Sequence, residues 1–383
     1  MITLVNFIGA RPQIIKAAAI SRAVHNRFGR QIQEVIVHTG QHYDKQLSQV
    51  FFDEMQIPKP DFNLHVGSGP HGKQTGKILS KAEKLFKDVN PEVVVVYGDT
   101  NSTLAGALSA VKMHIPVVHI EAGMRSFNKN MPEEINRITT DHVSTLLFSP
   151  TNAGFKNLLH EGFSPENIPP YHIDNPKIYH CGDIMYDNAL FFGNMAGKKK
   201  GFLERLGIIK NKFVLATLHR DLNTDNRERL NTIFSALSEI VSSEKIPLVM
   251  PLHPRTVKAI KKDLEKSLAK KIERNSLFRI IPPVSFLEMI LLEKTSGIIM
   301  TDSGGVQKEA HFYHKKCLVF RDETEWIELV KNGTAMLVDA DRDKILKGFR
   351  TYIKSGEAKF PAFYGDGHAA EFICNEVIEN LKY

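Results

Sequence analysis

Short apolar runs alternate with helix-spaced segments along this chain, and that alternation narrows the fold more than any other feature. Ile2–Ile8, Glu34–His38, Val93–Tyr97, Val117–Ile120, Leu146–Ser149 and Ile178–Cys181 read as strands. A second series follows at Phe213–Thr217, Leu248–Met250, Phe278–Ile281, Gly297–Thr301 and Cys317–Phe320. Between them, Gln13–Asn26, Thr103–Met113, Asp225–Val241 and Ser285–Leu292 carry helix formers at helical spacing. Such alternation produces parallel sheets covered by helices. Val93-Val94-Val95-Val96 has no polar alternation, as a strand buried on both faces requires. The expected fold is α/β, with two doubly wound domains facing a cleft. Ligands of such sheets bind beyond the carboxyl ends of the strands.

A length of 383 residues exceeds what one core usually organises. Gly193–Lys212, rich in Gly, Lys and Asn, marks the region of the division, with domains expected at 1–190 and 191–366. The helical segment Ala369–Leu381 has no strand after it, and from pattern alone it suits either domain. Hydrophobic residues make up 42% and charged residues 24%, as in an ordinary globular protein. No apolar run nears the ~18 residues of a membrane span. Met1–Ile8 lacks the basic start of a signal peptide and reads as the first strand. Cys181, Cys317 and Cys374 are far apart and match no metal motif. They suit a reducing compartment, so the expected location is cytoplasmic. The net charge of +7 is spread among acids, and the one tight run, Lys198-Lys199-Lys200, reads as a solvated linker rather than a nucleic-acid surface. A net positive field suits an anionic small substrate.

Candidate chemistry lies just after the strands. Asp302-Ser303-Gly304-Gly305 ends a strand and opens a helix, which aims free amides and the positive helix end at one point, a geometry suited to a diphosphate. Gly9-Ala10-Arg11-Pro12 is a second phosphate-friendly loop, and Arg11 and Lys16 stand near a helix start, where cations are disfavoured unless an anion joins them. No GxGxxG is present, which argues against a nicotinamide or flavin dinucleotide. Asp99, Glu121 and Glu133 each follow a strand or open a helix. Singly they are ordinary caps or dipole complements; converging, they would raise one another's pKa at a cost in stability. His219-Arg220 and His253-Pro254-Arg255 add two strand-end sites suited to an anion or a sugar. No spacing suggests zinc, and no Gly-x-Ser-x-Gly elbow suggests a hydrolase triad.

Taken with Thr39-Gly40-Gln41-His42, Gly98-Asp99-Thr100, Glu121-Ala122-Gly123, Pro132-Glu133-Glu134-Ile135-Asn136-Arg137, Arg321-Asp322-Glu323-Thr324-Glu325 and Tyr364-Gly365-Asp366-Gly367-His368, these residues resemble the non-hydrolysing UDP-N-acetylglucosamine 2-epimerase family over nearly the whole chain. The resemblance implies two Rossmann-like domains in the glycosyltransferase-B architecture, the helix of 367–383 packing back on the first domain, and a homodimer. It implies inversion at carbon 2 of a UDP-N-acetylhexosamine, through loss and re-addition of UDP by way of a 2-acetamidoglucal, for surface polysaccharide precursors. No added cofactor and no metal is implied. Asp99, Glu121 and Glu133 would serve as acid–base carboxylates, and His219 would help UDP leave. Arg11, Lys16 and His253 would contact substrate; Ser303, Gly304 and Gly305 would cradle the diphosphate, and Glu309 would accept the ribose hydroxyls.

Three features depart from many members: Trp326 replaces an Arg, Met289 an aromatic, and Gln41-His42-Tyr43-Asp44 differs where some bacterial members bind a second, activating substrate molecule. Ala10-Arg11-Pro12-Gln13, Trp326 and the Tyr364–His368 ending are closer to the branch acting on UDP-2,3-diacetamido-2,3-dideoxyglucuronic acid. A hydrolysing epimerase and a glycosyltransferase of the same architecture are rival expectations. A silent UDP-sugar sensor fits worst, since all three carboxylates are present.

Overall fold

The computed structural model describes residues 1–40, 57–197, 201–252 and 254–381. They form two compact units, Met1–Leu190 with Ala362–Tyr383, and Phe191–Pro361. In the first, β1 (Ile2–Ile8), β2 (Ile32–His38), β3 (Phe62–Asn63), β4 (Val93–Tyr97), β5 (Val117–Ile120), β6 (Leu146–Ser149) and β7 (Lys177–His180) make one parallel sheet ordered β3-β2-β1-β4-β5-β6-β7. In the second, β8 (Val214–Thr217), β9 (Leu248–Pro251), β10 (Phe278–Ile281), β11 (Ile298–Thr301), β12 (Lys316–Val319) and β13 (Ala335–Leu337) are ordered β10-β9-β8-β11-β12-β13. Counted from its own first strand, each sheet runs outward in both directions with the same order. Each therefore has a switch point, between β1 and β4 and between β8 and β11, where crossover helices leave to opposite faces and open a crevice.

The strands form where branched and aromatic residues can be covered on both sides. Every residue of β4 is buried. On one face of the first sheet, Val5, Phe7, Val94 and Val96 pack with Ala105 and Phe86, the Phe7 and Phe86 rings meeting edge-on at 5.7 Å. In the second unit, Phe234, Phe278 and Phe349 anchor the corresponding core. Each such side chain contributes about 1.5–3 kcal/mol when fully buried. Two strands have no sequence-level expectation, β3 and β13. Both lie at sheet edges and are too short to display a period.

The division between units falls inside the helix Ile184–Ala196. The cause is local. Asn188 donates to the Ile15 carbonyl at 2.6 Å and accepts from Arg22 at 2.6 Å. Farther along the same helix, Phe192 packs edge-on to Phe286 at 5.2 Å, and Lys294 donates to the Gly193 carbonyl at 3.0 Å. The final helix, Ala369–Asn380, belongs to the first unit. Its opening amides, Ala369 and Ala370, donate to the Asp187 carboxylate at 3.2 and 2.8 Å, the favoured partner for a helix start. Among the described residues no helix is long and apolar enough to cross a membrane.

Candidate active site

The first unit gathers charge at the carboxyl ends of β4 and β5. Tyr97 pairs with Ile120 across these strands, so Gly98-Asp99 and Glu121 leave the sheet side by side. The Gly98 amide donates to the Ile120 carbonyl at 2.9 Å, and Gly98 takes φ +62°, which the lack of a Cβ permits. Glu121 takes φ +74° without that freedom. A left-handed backbone there costs roughly 1–2 kcal/mol, and strain of this kind concentrates at functional sites.

The Glu121 carboxylate lies 2.6 Å from Lys16 Nζ, with only 20% and 11% of the two side chains accessible. Asp99 pairs with Arg137 of the helix Pro132–His142, and Asn136 of that helix donates to the Asp99 carbonyl at 2.9 Å. Burial pushes the Asp99 carboxyl above its ordinary range; Arg137 opposes that shift and Glu121 adds to it. A carboxyl shifted in that direction binds a proton more readily than an exposed one, which suits acid–base chemistry.

One expectation for this unit changes. The Gly9-Ala10 loop does not offer its amides to a phosphate: both donate to Gln13 Oε1, at 2.8 and 3.0 Å. Gln13 in turn donates to the Tyr97 carbonyl at 2.9 Å and to Thr103 Oγ1 at 2.8 Å, locking this loop to the end of β4. Lys16, expected against substrate, is engaged by Glu121. Arg11 is exposed on the first turn of the helix Arg11–Ala23. Glu133 is exposed on the first turn of its helix. Its neighbour Glu134 is the buried acid there, accepting the Ser126 and Phe127 amides at 2.9 Å each and meeting Arg137 at 3.2 Å.

The second unit builds a different site from backbone. Thr301 pairs with Thr217, which sets Asp302 beside Leu218-His219. Asp302 is wholly buried and accepts the amides of His219 and Arg220, at 3.2 and 3.0 Å, and Asn223 Nδ2 at 3.1 Å. His219 Nδ1 stands 3.0 Å away. Burial works to raise this carboxyl, but the bonds from His219, Asn223 and Arg220 outweigh it and hold it below the usual carboxylate range. The carboxylate thereby fixes the His219 ring with a proton on Nδ1, leaving Nε2 of a half-exposed ring for a ligand.

Ser303 caps the helix Gly304–Phe312, its Oγ accepting the Val306 amide at 3.4 Å. The first amides of a helix have no partner inside it. A Cβ on Gly304 would meet Glu325, Trp326 and Arg321 atoms at 3.5–3.9 Å, and one on Gly305 only Ser303 Oγ at 3.8 Å. The chain has room for a methyl at both, so packing does not call for two glycines that each cost about 1 kcal/mol against alanine. Close approach of an anion to the backbone is what two such glycines would permit. Trp326 braces this turn by donating from Nε1 to the Gly304 carbonyl at 2.9 Å, with Lys308 Nζ 4.3 Å over its ring. Glu309 is half-buried on the same helix. It presses on the fully buried Glu293, whose carboxyl is driven well above its usual range first by burial and then by Glu309. His253 lies outside the described residues, as does Gln41-His42-Tyr43-Asp44.

Sequence reasoning assigned no role to Arg137, Asp302 or Trp326, although each stands in a motif it quoted. It quoted Gln13 only as a mark of the branch and gave it no structural role, although its place three residues after the helix cap at Ala10 was the available signal.

Comparison with known proteins fits this picture. The family model described as UDP-N-acetylglucosamine 2-epimerase matches residues 25–378. Pseudomonas aeruginosa UDP-2,3-diacetamido-2,3-dideoxy-D-glucuronate 2-epimerase is 46% identical over 371 residues, covering 97% of this chain and 98% of that protein. The crystal structure of Methanocaldococcus jannaschii UDP-GlcNAc 2-epimerase in complex with UDP-GlcNAc and UDP superposes with a TM-score of 0.81 at 39% identity, covering 98% and 99% of the two chains. TcCGT1 in complex with UDP, at 11% identity and a TM-score of 0.65 over 99% of each chain, shares the fold alone. With two parallel sheets of the glycosyltransferase-B kind, and 46% and 39% identity to the two epimerases over nearly its full length, the chain belongs to the UDP-N-acetylglucosamine 2-epimerase family.

Proposed function

We propose that this enzyme inverts carbon 2 of a UDP-linked 2-acetamido sugar without hydrolysing it. The carbon-2 hydrogen is barely acidic while UDP remains attached. As the bond from carbon 1 to the diphosphate oxygen breaks, carbon 1 becomes cation-like and the neighbouring proton is released to a base, giving a 2-acetamidoglucal and UDP. An acid returns a proton to the other face of carbon 2 as UDP adds back to carbon 1. Asp99, Glu121 and Glu133 take the acid–base roles in this reading. Ser303, Gly304 and Gly305 hold the diphosphate, Glu309 the ribose, and His219 helps UDP leave. Arg11, Lys16 and His253 contact substrate, with Lys16 also pairing with Glu121.

The observation that carries the reading is the cluster of Asp99, Glu121 and Lys16 at adjacent strand ends, built on the strained turn at Glu121. The identity to the P. aeruginosa enzyme supports UDP-2,3-diacetamido-2,3-dideoxyglucuronic acid as the substrate ahead of UDP-N-acetylglucosamine. We assign the enzyme to the cytoplasm, as a homodimer serving surface polysaccharide synthesis. The free thiols of Cys181, Cys317 and Cys374 agree with a reducing compartment.

Incubation with either UDP-sugar in deuterated water, with no metal or nicotinamide added, tests the reaction. Deuterium at carbon 2 of both epimers, with the UDP linkage intact, is expected. Absence of label with both sugars sinks the proposal, and accumulation of free sugar replaces it with hydrolysis.

A further inference from the structure

Behind the acidic cluster lies a buried ion network that the reaction scheme leaves unused. His119 is the third residue of β5 and is wholly inaccessible. Its Nδ1 lies 2.6 Å from Asp141 Oδ1 and its Nε2 lies 2.8 Å from the Gly98 carbonyl oxygen. A backbone carbonyl only accepts, and a neutral imidazole has one N–H and one lone pair. A neutral His119 beside an ionised Asp141 would therefore set a lone pair against an oxygen, in the interior where unmade bonds cost most.

The alternative is a proton on Asp141, and its other partners oppose that. Asp141 Oδ2 accepts the Gly123 amide at 3.1 Å and pairs with Arg125 at 2.7 Å. Burial alone would raise the Asp141 carboxyl, but its ion pairs with His119 and Arg125 hold it below the usual range. Arg125 is itself closed by Glu161, through bonds of 2.7 and 2.6 Å, and Glu161 meets the half-exposed His142 at 3.3 Å. Across the Gly98 peptide the charged groups are Asp99, Glu121, Lys16 and Arg137.

We propose that His119 carries protons on both ring nitrogens and, as a buried imidazolium, is the positioning residue that holds the Asp99 and Glu121 turns in register. The Gly98 peptide is gripped from both ends, its amide by the Ile120 carbonyl and its oxygen by His119. The anion that pins His119 also takes the amide of Gly123, two residues beyond Glu121. One ion pair thus fixes the left-handed residues Gly98 and Glu121 from behind, and the two acids cannot shift independently. The positioning role rests on the acid–base reading of Asp99 and Glu121; the protonation state does not.

Nitrogen-15 NMR of the histidine-labelled full chain tests the protonation state, with the His119 signals identified by their loss in His119→Gln. Both His119 nitrogens should give the protonated signature. An unprotonated nitrogen overturns the proposal. The positioning role is tested with Asp141→Asn. It should convert His119 to the one-proton form and slow carbon-2 deuterium exchange roughly tenfold to a hundredfold, the scale of an ångström-sized misplacement. KM should stay within about twofold, since binding is left intact. Unchanged kcat, or a loss confined to KM, rejects the positioning role. Should Asp141→Asn fail to fold, His119→Gln carries the same kcat-against-KM test. If the wild type exchanges no deuterium, the reaction assignment fails while the NMR result still decides the imidazolium.

Discussion

Asp99 and Asp302 occupy matching places in the two units, just past the fourth strand counted from each sheet's own first, at the switch point. Their surroundings drive them apart. Asp302 is the more deeply buried, yet its carboxyl is held low because two amides, an asparagine and a histidine donate to it. Asp99 keeps 32% of its side chain accessible, yet its carboxyl is raised, because one guanidinium and a nearby lysine stand against burial and a second acid. Burial does not by itself set the proton affinity; the donors supplied to the anion do. In the second unit this aspartate is a brace that orients His219. In the first it has fewer donors, which suits the acid–base role proposed for it.

The widest gap should open in catalysis. Asp99→Asn is expected to lower carbon-2 deuterium exchange on the order of a hundredfold to ten-thousandfold, with UDP affinity by calorimetry nearly unchanged. Exchange at the wild-type rate would remove Asp99 from the chemistry. Stability should show the opposite ranking. Asp302→Asn is expected to cost about 2–4 kcal/mol in urea unfolding, because buried donors lose their anion, while Asp99→Asn stays within about 1 kcal/mol. Because the folded-state affinity of Asp302 for a proton is depressed, its stabilisation is present above the unfolded carboxyl pKa and fades as pH falls through the folded one. Asp302→Asn should therefore flatten the acid side of the stability profile, and equal costs for the two variants would erase the contrast.

A subtler change tests the electrostatics of the first unit. Arg137 opposes the upward shift of Asp99, so Arg137→Gln should move the acid limb of kcat/KM to higher pH. A limb that stays in place, or moves to lower pH, assigns it to another group. The smallest effect is expected at Gly305→Ala. The helix gains about 0.5–1 kcal/mol from the lost glycine, while UDP binding weakens several-fold as the methyl meets the diphosphate; unaltered UDP binding would detach these amides from the ligand.

Sequence reasoning reached the two-sheet fold because doubly buried strands such as Val93–Tyr97 carry an apolar run that nothing else in the chain imitates. It lost β3 and β13, edge strands of two and three residues. It placed Asp99 and Glu121 side by side because each sits one or two residues past the end of a neighbouring strand, where the parallel fold concentrates ligand chemistry. Asp141 was out of reach: it lies 22 residues from His119, and only the packing of a helix against β5 brings the two together. Gly9-Ala10 misled for a related reason. The motif reads as a phosphate loop until Gln13 is seen to occupy its amides.

The last helix belongs to the first unit although the whole second unit intervenes in the chain. A ribosome therefore delivers Phe191–Pro361 before Ala369–Asn380, so the second unit can complete its own fold while the first still waits for its closing piece. Nascent chains stalled before residue 369 should accordingly bind UDP-like anions earlier than they acquire a finished acid–base half.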